Sequence, residues 1–374
     1  MATSPLCGIR ILDLTRVLAG PLAAMTLGDL GADVIKVERP GSGDETRGWG
    51  PPFDSRGESA YYLSVNRNKL SVALDIDSSS DVDVLQGLIR KADVVLDNFR
   101  PGTLERRGID ISALLREHPE LIWCTLTGFG ENSARPGYDF VVQAESGWMA
   151  ITGEPTGDPM KVGVALADVL AGKDAAVAVL GALAGRGRGR APNERRSFIS
   201  LAKSAVGALV NVAQNALVSG HDAVRWGNAH ANLVPYQLFN AADRSIVIAV
   251  GSDAQWHSCA RALGLDALAA DDRLATNAGR LANRALIVDA MTNRVASRTA
   301  AEWLEALANA GVPAGIVRSV TEALADVDAS ALTGVSPNAP GTVRLPPPLL
   351  DEHGVLVRSY GWEAFRRLTR PVAP

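Results

Sequence analysis

One carboxylate stands apart in the run KVGVALADVLAG, residues 161–172: Asp168 falls between an apolar extended stretch and an apolar helical pattern that continues to about Leu183. Two roles fit that position. An aspartate just before Val169 can accept hydrogen bonds from the unpaired N–H groups of a helix's first turn. An ionised carboxylate at the positive end of a helix, walled by Val164, Leu166 and Val169, is also a nucleophile ready for an activated acyl group. The side chains available to bind a ligand are basic. ERPGSGDETRGW (38–49) sets Arg39 and Arg47 around a glycine-rich turn, and DNFRPGTLERRG (97–108) adds Arg100, Arg106 and Arg107. Arginines at such strand ends pair with phosphate or carboxylate, so a polyanionic ligand explains them economically. A solvated loop is the plainer account of the first segment.

Other chemistries lack their signatures. A net charge of −4 argues against a nucleic-acid partner. The basic stretch GRGRGRAPNERR (185–196) has no interleaved aromatics and reads as a solvated loop. Cys7, Cys124 and Cys259 form no CxxC pair and no signal-peptide pattern opens the chain, which predicts a reducing cytoplasm. His118, His221, His230, His257 and His353 show neither HxxxH nor HxH spacing, so no metal is expected. Lys173 and Asp174 interrupt the longest apolar run, and no membrane span is expected. The first strand-to-helix turn carries no GxGxxG, which weakens a dehydrogenase reading.

The elements that must position these residues alternate. Strand patterns at 9–14, 32–40, 69–76, 92–99 and 121–129 are separated by helical patterns at 18–31, 81–91 and 111–118. This predicts an α/β doubly wound, mostly parallel sheet of Rossmann-like type, with ligands outside the carboxyl ends of its strands. A long helix is predicted over 200–218, then two strands within 233–251 and helices near 253–263, 281–296 and 299–310. The domain reading is a large domain at 1–190 completed by 337–374, a linker helix within 191–226, and a small α+β domain at 227–325. A return segment at 326–374 follows, Pro-rich from about Pro337 and ending in a short helix near 361–368.

Seven blocks carry a resemblance: LDLTRVLAGP, ADVIKVERPGSGDETRGW, NRNKLSVALD, ADVVLDNFRPGTLERRG, GYDFVVQAESGWMAITG, KVGVALADVLAG and GNAHANLVPY. In order and spacing the chain resembles the family III CoA-transferases, the group of formyl-CoA transferase and carnitine CoA-transferase. The resemblance implies that Asp168 is the nucleophile. It would form an acyl anhydride, then an aspartyl-CoA thioester, before CoA returns to the new acyl group. For coenzyme A, the resemblance carries over Val17 beside the pantetheine, Arg39 toward the phosphates, Leu74 and Asp75 near the adenine, and Asn98, Phe99 and Arg106 along the same edge. Tyr61 and Tyr138 match positions near the reacting acyl group, Asp139 supplies a second carboxylate, and Asn228 and His230 in WGNAHANL (226–233) either face the acceptor or stabilise their own loop. Backbone N–H groups of that loop are candidate oxyanion donors. Leu18 stands where the formyl-CoA enzyme has glutamine, which argues against formate and oxalate.

The block at 137–165 looks most like members that take succinyl-CoA as donor and a dicarboxylate as acceptor, such as glutarate, malate, citramalate or itaconate. Arg16, Arg47 and His230 are the candidates for the distal carboxylate. The resemblance also implies an interlocked homodimer. The alternative is a 2-methylacyl-CoA racemase of the same superfamily, but its relatives show His-Asp where this chain has Tyr138-Asp139, and tyrosine is a poor base at neutral pH.

Overall fold

The computed structural model describes residues 4–326 and 343–368. These fall into two compact units, one holding the residues up to Met149, Lys161–Gly220 and the C-terminal segment, the other Ala150–Met160 and the chain from His221.

The first unit is built on strands β1 (Arg10–Leu14), β2 (Asp33–Glu38), β3 (Lys69–Ala73), β4 (Val94–Asp97), β5 (Ile122–Thr127) and β6 (Arg196–Ser200). They pair in the order β3-β2-β1-β4-β5-β6, every pair parallel. Side chains alternate across the sheet. Ile11, Val94 and Cys124 enter one core with Ala23 and Leu27 of α1 (Ala19–Asp29), while Leu12, Val95 and Trp123 enter the other. The second core is closed by α3 (Ser79–Ile89) and α4 (Ile111–Glu117); α2 (Ala60–Ser64) precedes β3. Chain order reverses between β1 and β4, so the loops after those two strands flank a crevice of the kind that binds ligands.

Helices α5 (Asp139–Glu145), α6 (Trp148–Ile151) and α7 (Leu166–Ala184) follow β5. The alanine-rich α7 packs against α1 closely enough that a Cβ on Gly172 would stand 2.6 Å from the carbonyl oxygen of Ala19.

Several expectations need correction. The span 200–218 is not one helix but α8 (Leu201–Gly207) and α9 (Val210–Ser219), bent by 69°. Val210, which opens α9, adopts φ +40°, a left-handed geometry that interrupts a continuous right-handed helix. Residues 196–200, which the sequence pattern places in the linker, form edge strand β6. The preceding basic stretch is anchored as well: Arg186 pairs with Asp93 at 2.8 Å, and buried Arg195 donates to the carbonyls of His118 and Leu121 at 2.9 Å each. Residues 150–160 join the second unit, where Arg225 donates to the carbonyls of Ala150, Glu154 and Gly157.

The second unit holds an antiparallel sheet of β7 (Tyr236–Asn240), β8 (Ser245–Ala249) and β9 (Ala314–Ile316). It packs with α10 (Asp253–Ala262), α11 (Asp266–Ala269), α12 (Asn277–Ala282), α13 (Arg284–Val295) and α14 (Ala300–Asn309), followed by α15 (Val320–Ala325). The helix expected over 281–296 is interrupted at Asn283.

The C-terminal segment lies along β3. Asn68 bonds the backbone of Arg344 and Leu345, His353 exchanges bonds with Ser71, and Asp351 accepts from Ala73 N–H at 2.7 Å. It thereby covers an edge strand. It holds two helices, α16 (Gly354–Tyr360) and α17 (Ala364–Leu368), where the pattern predicts one near 361–368. The Pro-rich stretch of 337–342 lies outside the described residues.

Candidate active site

Asp168 lies in the first turn of α7, third after the N-cap Ala165, and its side chain makes no cap. The cap is supplied from α5. Asp139 Oδ1 accepts from the N–H of Ala167 at 2.8 Å and of Asp168 at 3.4 Å. Asp139 Oδ2 accepts from Gln143 Nε2 at 2.7 Å, so both oxygens of this expected acceptor contact are engaged within the protein. Burial, then the like charge of Asp139, pushes the Asp168 carboxyl up to about 7, so the helix terminus does not keep it in the ordinary carboxylate range. Half-buried Tyr61 stands near enough that, after burial, the charges of Asp168, Asp139 and Asp44 help to push its phenol up to about 12. It therefore stays a protonated donor at neutral pH.

The loop after β1 borders the nucleophile. Asn98, just past β4, accepts from the N–H of Arg16 at 3.1 Å and donates to its carbonyl at 2.9 Å, joining the two loops across the switch point. Its amide thus holds the two loops together at the rim of the inner cleft. Val17 adopts φ +73°, strained for a β-branched residue. Its N–H donates to Asp44 at 3.3 Å, and buried Lys36 grips both Asp44 and the carbonyl of Thr15.

Two clefts follow the strand ends. The outer one, of 760 Å³, is lined by Arg39, Leu74, Asp75, Phe99 and Arg106, with Arg16, Arg100 and Arg107. The inner one, of 220 Å³, is lined by Val17, Leu18, Asn98, Tyr138 and Asp168. Arg16, Phe99 and Arg100 line both, so the arginine-rich mouth leads to the carboxylate. In the sequence Arg100 reads only as part of a basic edge; its place just after a strand beside the switch point is the signal that marks it as a site residue. Arg135, in the inner lining and paired with Glu145, carries no such signal.

Arg47 lies elsewhere. Its guanidinium is buried, donates to Glu38 at 2.8 Å and to Glu58 at 2.6 Å, and reaches Tyr62 and the carbonyl of Pro348. With its donors committed inside the core, it is not a substrate anchor.

Asn228 and His230 belong to the second unit. His230 Nδ1 accepts from Asn232 N–H at 3.0 Å, and its backbone N–H donates to Tyr236 O at 2.9 Å. Arg284 donates to the carbonyls of His230 and Ala231. The N–H groups of Gly227 and Ala229 donate to Gly153 O and Trp226 O. Four N–H groups of this loop are thus bonded within its own unit, which removes them as free oxyanion donors, and His230 acts as a loop brace.

Known proteins resemble this chain in sequence and in fold. The model of CoA-transferase family III matches residues 6–354. A succinyl-CoA:glutarate CoA-transferase of Mus musculus is 42% identical over 86% of this chain and 74% of its own. A succinate–glutarate CoA-transferase of Agrobacterium fabrum is 41% identical over 86% of this chain and 82% of its own. The crystal structure of a CAIB/BAIF family protein from Brucella suis superposes with a TM-score of 0.82 at 37% identity, covering 96% of this chain and 99% of that one. With the arginine-lined cleft, the buried aspartate and these matches together, the chain belongs to CoA-transferase family III.

Proposed function

We propose that this enzyme moves CoA from succinyl-CoA to a dicarboxylic acid of glutarate type, with Asp168 as covalent carrier. The observation that carries this reading is the continuity of the two clefts through Arg16, Phe99 and Arg100 to one buried carboxylate. The outer cleft suits a CoA nucleotide: Arg39, Arg100 and Arg106 are exposed cations for phosphates, and Phe99 offers apolar surface. No metal is needed for this chemistry, and among the described residues no cluster suited to one occurs.

In the first step an Asp168 oxygen attacks the thioester carbonyl, the C–S bond breaks, and CoA leaves as thiolate. The thiolate then attacks the aspartyl carbonyl of the anhydride and releases succinate, leaving CoA on Asp168 as a thioester. The acceptor carboxylate attacks that thioester and the thiolate leaves again. Its attack on the acceptor's acyl carbon frees Asp168 and yields the new acyl-CoA. Tyr61, held protonated, is a donor for charge developing on the acyl oxygen. Arg16 is the remaining candidate for the distal carboxylate, because its ion pair with Glu45 is loose, at 3.5 Å.

The working unit in this reading is an interlocked homodimer. The support is α9, which buries no residue and leaves Val210, Leu217 and Val218 70%, 79% and 79% exposed, a face that a second copy would cover. The cytoplasm suits three free thiols at Cys7, Cys124 and Cys259. Incubation with succinyl-CoA and a panel of mono- and dicarboxylates, read by mass, tests the substrates. Glutaryl-CoA or a close homologue is the expected product, and exclusive use of monocarboxylates contradicts the reading.

A further inference from the structure

The pair Asp139 and Gln143 lies on one face of α5, four residues apart, and faces the start of α7. Gln143 is fully buried. Its Nε2 donates to Asp139 Oδ2 at 2.7 Å and to Val164 O at 3.2 Å, and its Oε1 accepts from Val162 N–H at 2.8 Å. Gln143 therefore pins the segment entering α7, while Asp139 takes the N–H groups of Ala167 and Asp168. Among the described residues, no hydrogen bond reaches the Asp168 carboxylate itself.

We propose that Asp139 and Gln143 are positioning residues for the nucleophile: together they fix the first turn of α7 and withhold its N–H groups from Asp168. The inference rests on the covalent reading above. A carboxylate in a first turn ordinarily gains from those N–H groups and becomes a stable, weakly basic anion. Here another carboxylate occupies them. Asp168 is left desolvated, unbonded and beside a negative charge, which keeps its anion basic and reactive toward a thioester. The carboxyl pushed up to about 7 agrees with this arrangement.

The pH response of Asp168 is set by the charges on its own helix, on the elements packed against it and along the inner cleft. On the elements packed against α7 these are Asp139 and Glu145 of α5, Asp29 of α1, Lys203 of α8 and Arg196 of β6, with Lys173 and Asp174 on α7 itself. Arg16, Glu45, Arg100, Arg135 and Tyr138 line the inner cleft, and Tyr61 stands beside it. Asp29 is bound to Arg67, Glu145 to Arg135 and Glu45 to Arg16, Asp174 accepts from Ser204, and Asp139 is the negative charge acting directly on the nucleophile.

The test is the pH dependence of adduct formation on Asp168 from succinyl-CoA without acceptor, measured by mass in wild type, Asp139→Asn and Gln143→Ala. Asp139→Asn keeps an oxygen for the Ala167 N–H and removes the charge. Its acidic limb is expected about one pH unit below wild type, with a plateau rate lowered on the order of tenfold. Gln143→Ala loosens the entry segment and leaves the charge. It is expected to lose rate on the order of tenfold while its limb and the KM for succinyl-CoA stay at wild-type values. If Asp139→Asn does not accumulate folded, Asp139→Ser, which retains a hydroxyl acceptor, takes its place. A variant profile superimposed on wild type overturns the positioning role alone. A wild-type protein that forms no adduct overturns the covalent reading with it.

Discussion

Arg47 holds two buried carboxylates at once, and removing its charge takes the paired cation from both Glu38 and Glu58, leaving Glu38 only the charge of Lys36. Arg47→Leu is therefore expected to cost about 3–5 kcal/mol of stability, read from urea unfolding, rather than to raise a KM. A weaker KM at wild-type stability would return it to the substrate site. Arg16 is the opposite case, half-exposed in both clefts. Arg16→Leu is expected to raise the KM for the dicarboxylate by an amount worth about 1.5–3 kcal/mol, with an unchanged unfolding midpoint. Asp168 links activity to pH in two directions. Its carboxyl is raised from 3.8 to about 7, so the native state binds this proton more tightly than the unfolded chain does. The stability it contributes is complete below the ordinary value and is lost as pH rises through about 7. Asp168→Asn, with no proton to lose, is thus expected to melt above wild type at pH near 8, the gap closing toward pH near 4. Catalysis has the reverse sign, because the nucleophile is the ionised form, and the rate should climb through neutrality. Equal melting temperatures for the two proteins across that range would show that Asp168 is not held at a raised value.

Gly172 lies one turn beyond Asp168, and the space it leaves sets the distance between α7 and α1. A methyl there meets the Ala19 carbonyl, a backbone atom that cannot swing aside. Gly172→Ala is expected to cost about 1–3 kcal/mol and, by shifting Asp168 against Leu18, to lower kcat on the order of 10- to 100-fold. Gly181→Ala in the same helix meets nothing within 4 Å and serves as the control, expected to keep full activity. Full activity in Gly172→Ala as well would mean that the α1–α7 spacing does not position the nucleophile. Elements with strong periodicity are legible in the amino-acid order alone: β1, β2, β4 and β5 read directly as short apolar runs, and with them the parallel sheet and the ligand edge. Strand β6 is not, since RSFIS begins in a basic stretch and only its pairing with β5 makes it a strand. The break at Val210 is equally hidden, because LAKSAVGALVNVAQNALVS has an unbroken helical pattern. At the site, residue types near strand ends are readable, but partnerships are not. Asn98 closing on Arg16, Asp139 capping the helix of Asp168, and Arg47 turning inward are contacts between distant segments, created by the folded topology.

Transfer between two acids asks the whole molecule to exclude water while two different substrates visit one carboxylate. Interlocking answers that demand in the proposed dimer and makes dissociation inseparable from unfolding. Sizing across a wide dilution range, paired with circular dichroism in denaturant, should show a dimer that loses mass and structure together. A folded monomer at low concentration would remove the second copy from the site. Whether CoA rides on Asp168 is read from the mass of the intact protein after succinyl-CoA is added without acceptor, followed by peptide mapping. A CoA thioester is expected on the peptide holding Asp168, discharged by glutarate and absent from Asp168→Asn, which should show no turnover. An unmodified Asp168 during turnover, a label on another residue, or an active Asp168→Asn would contradict it.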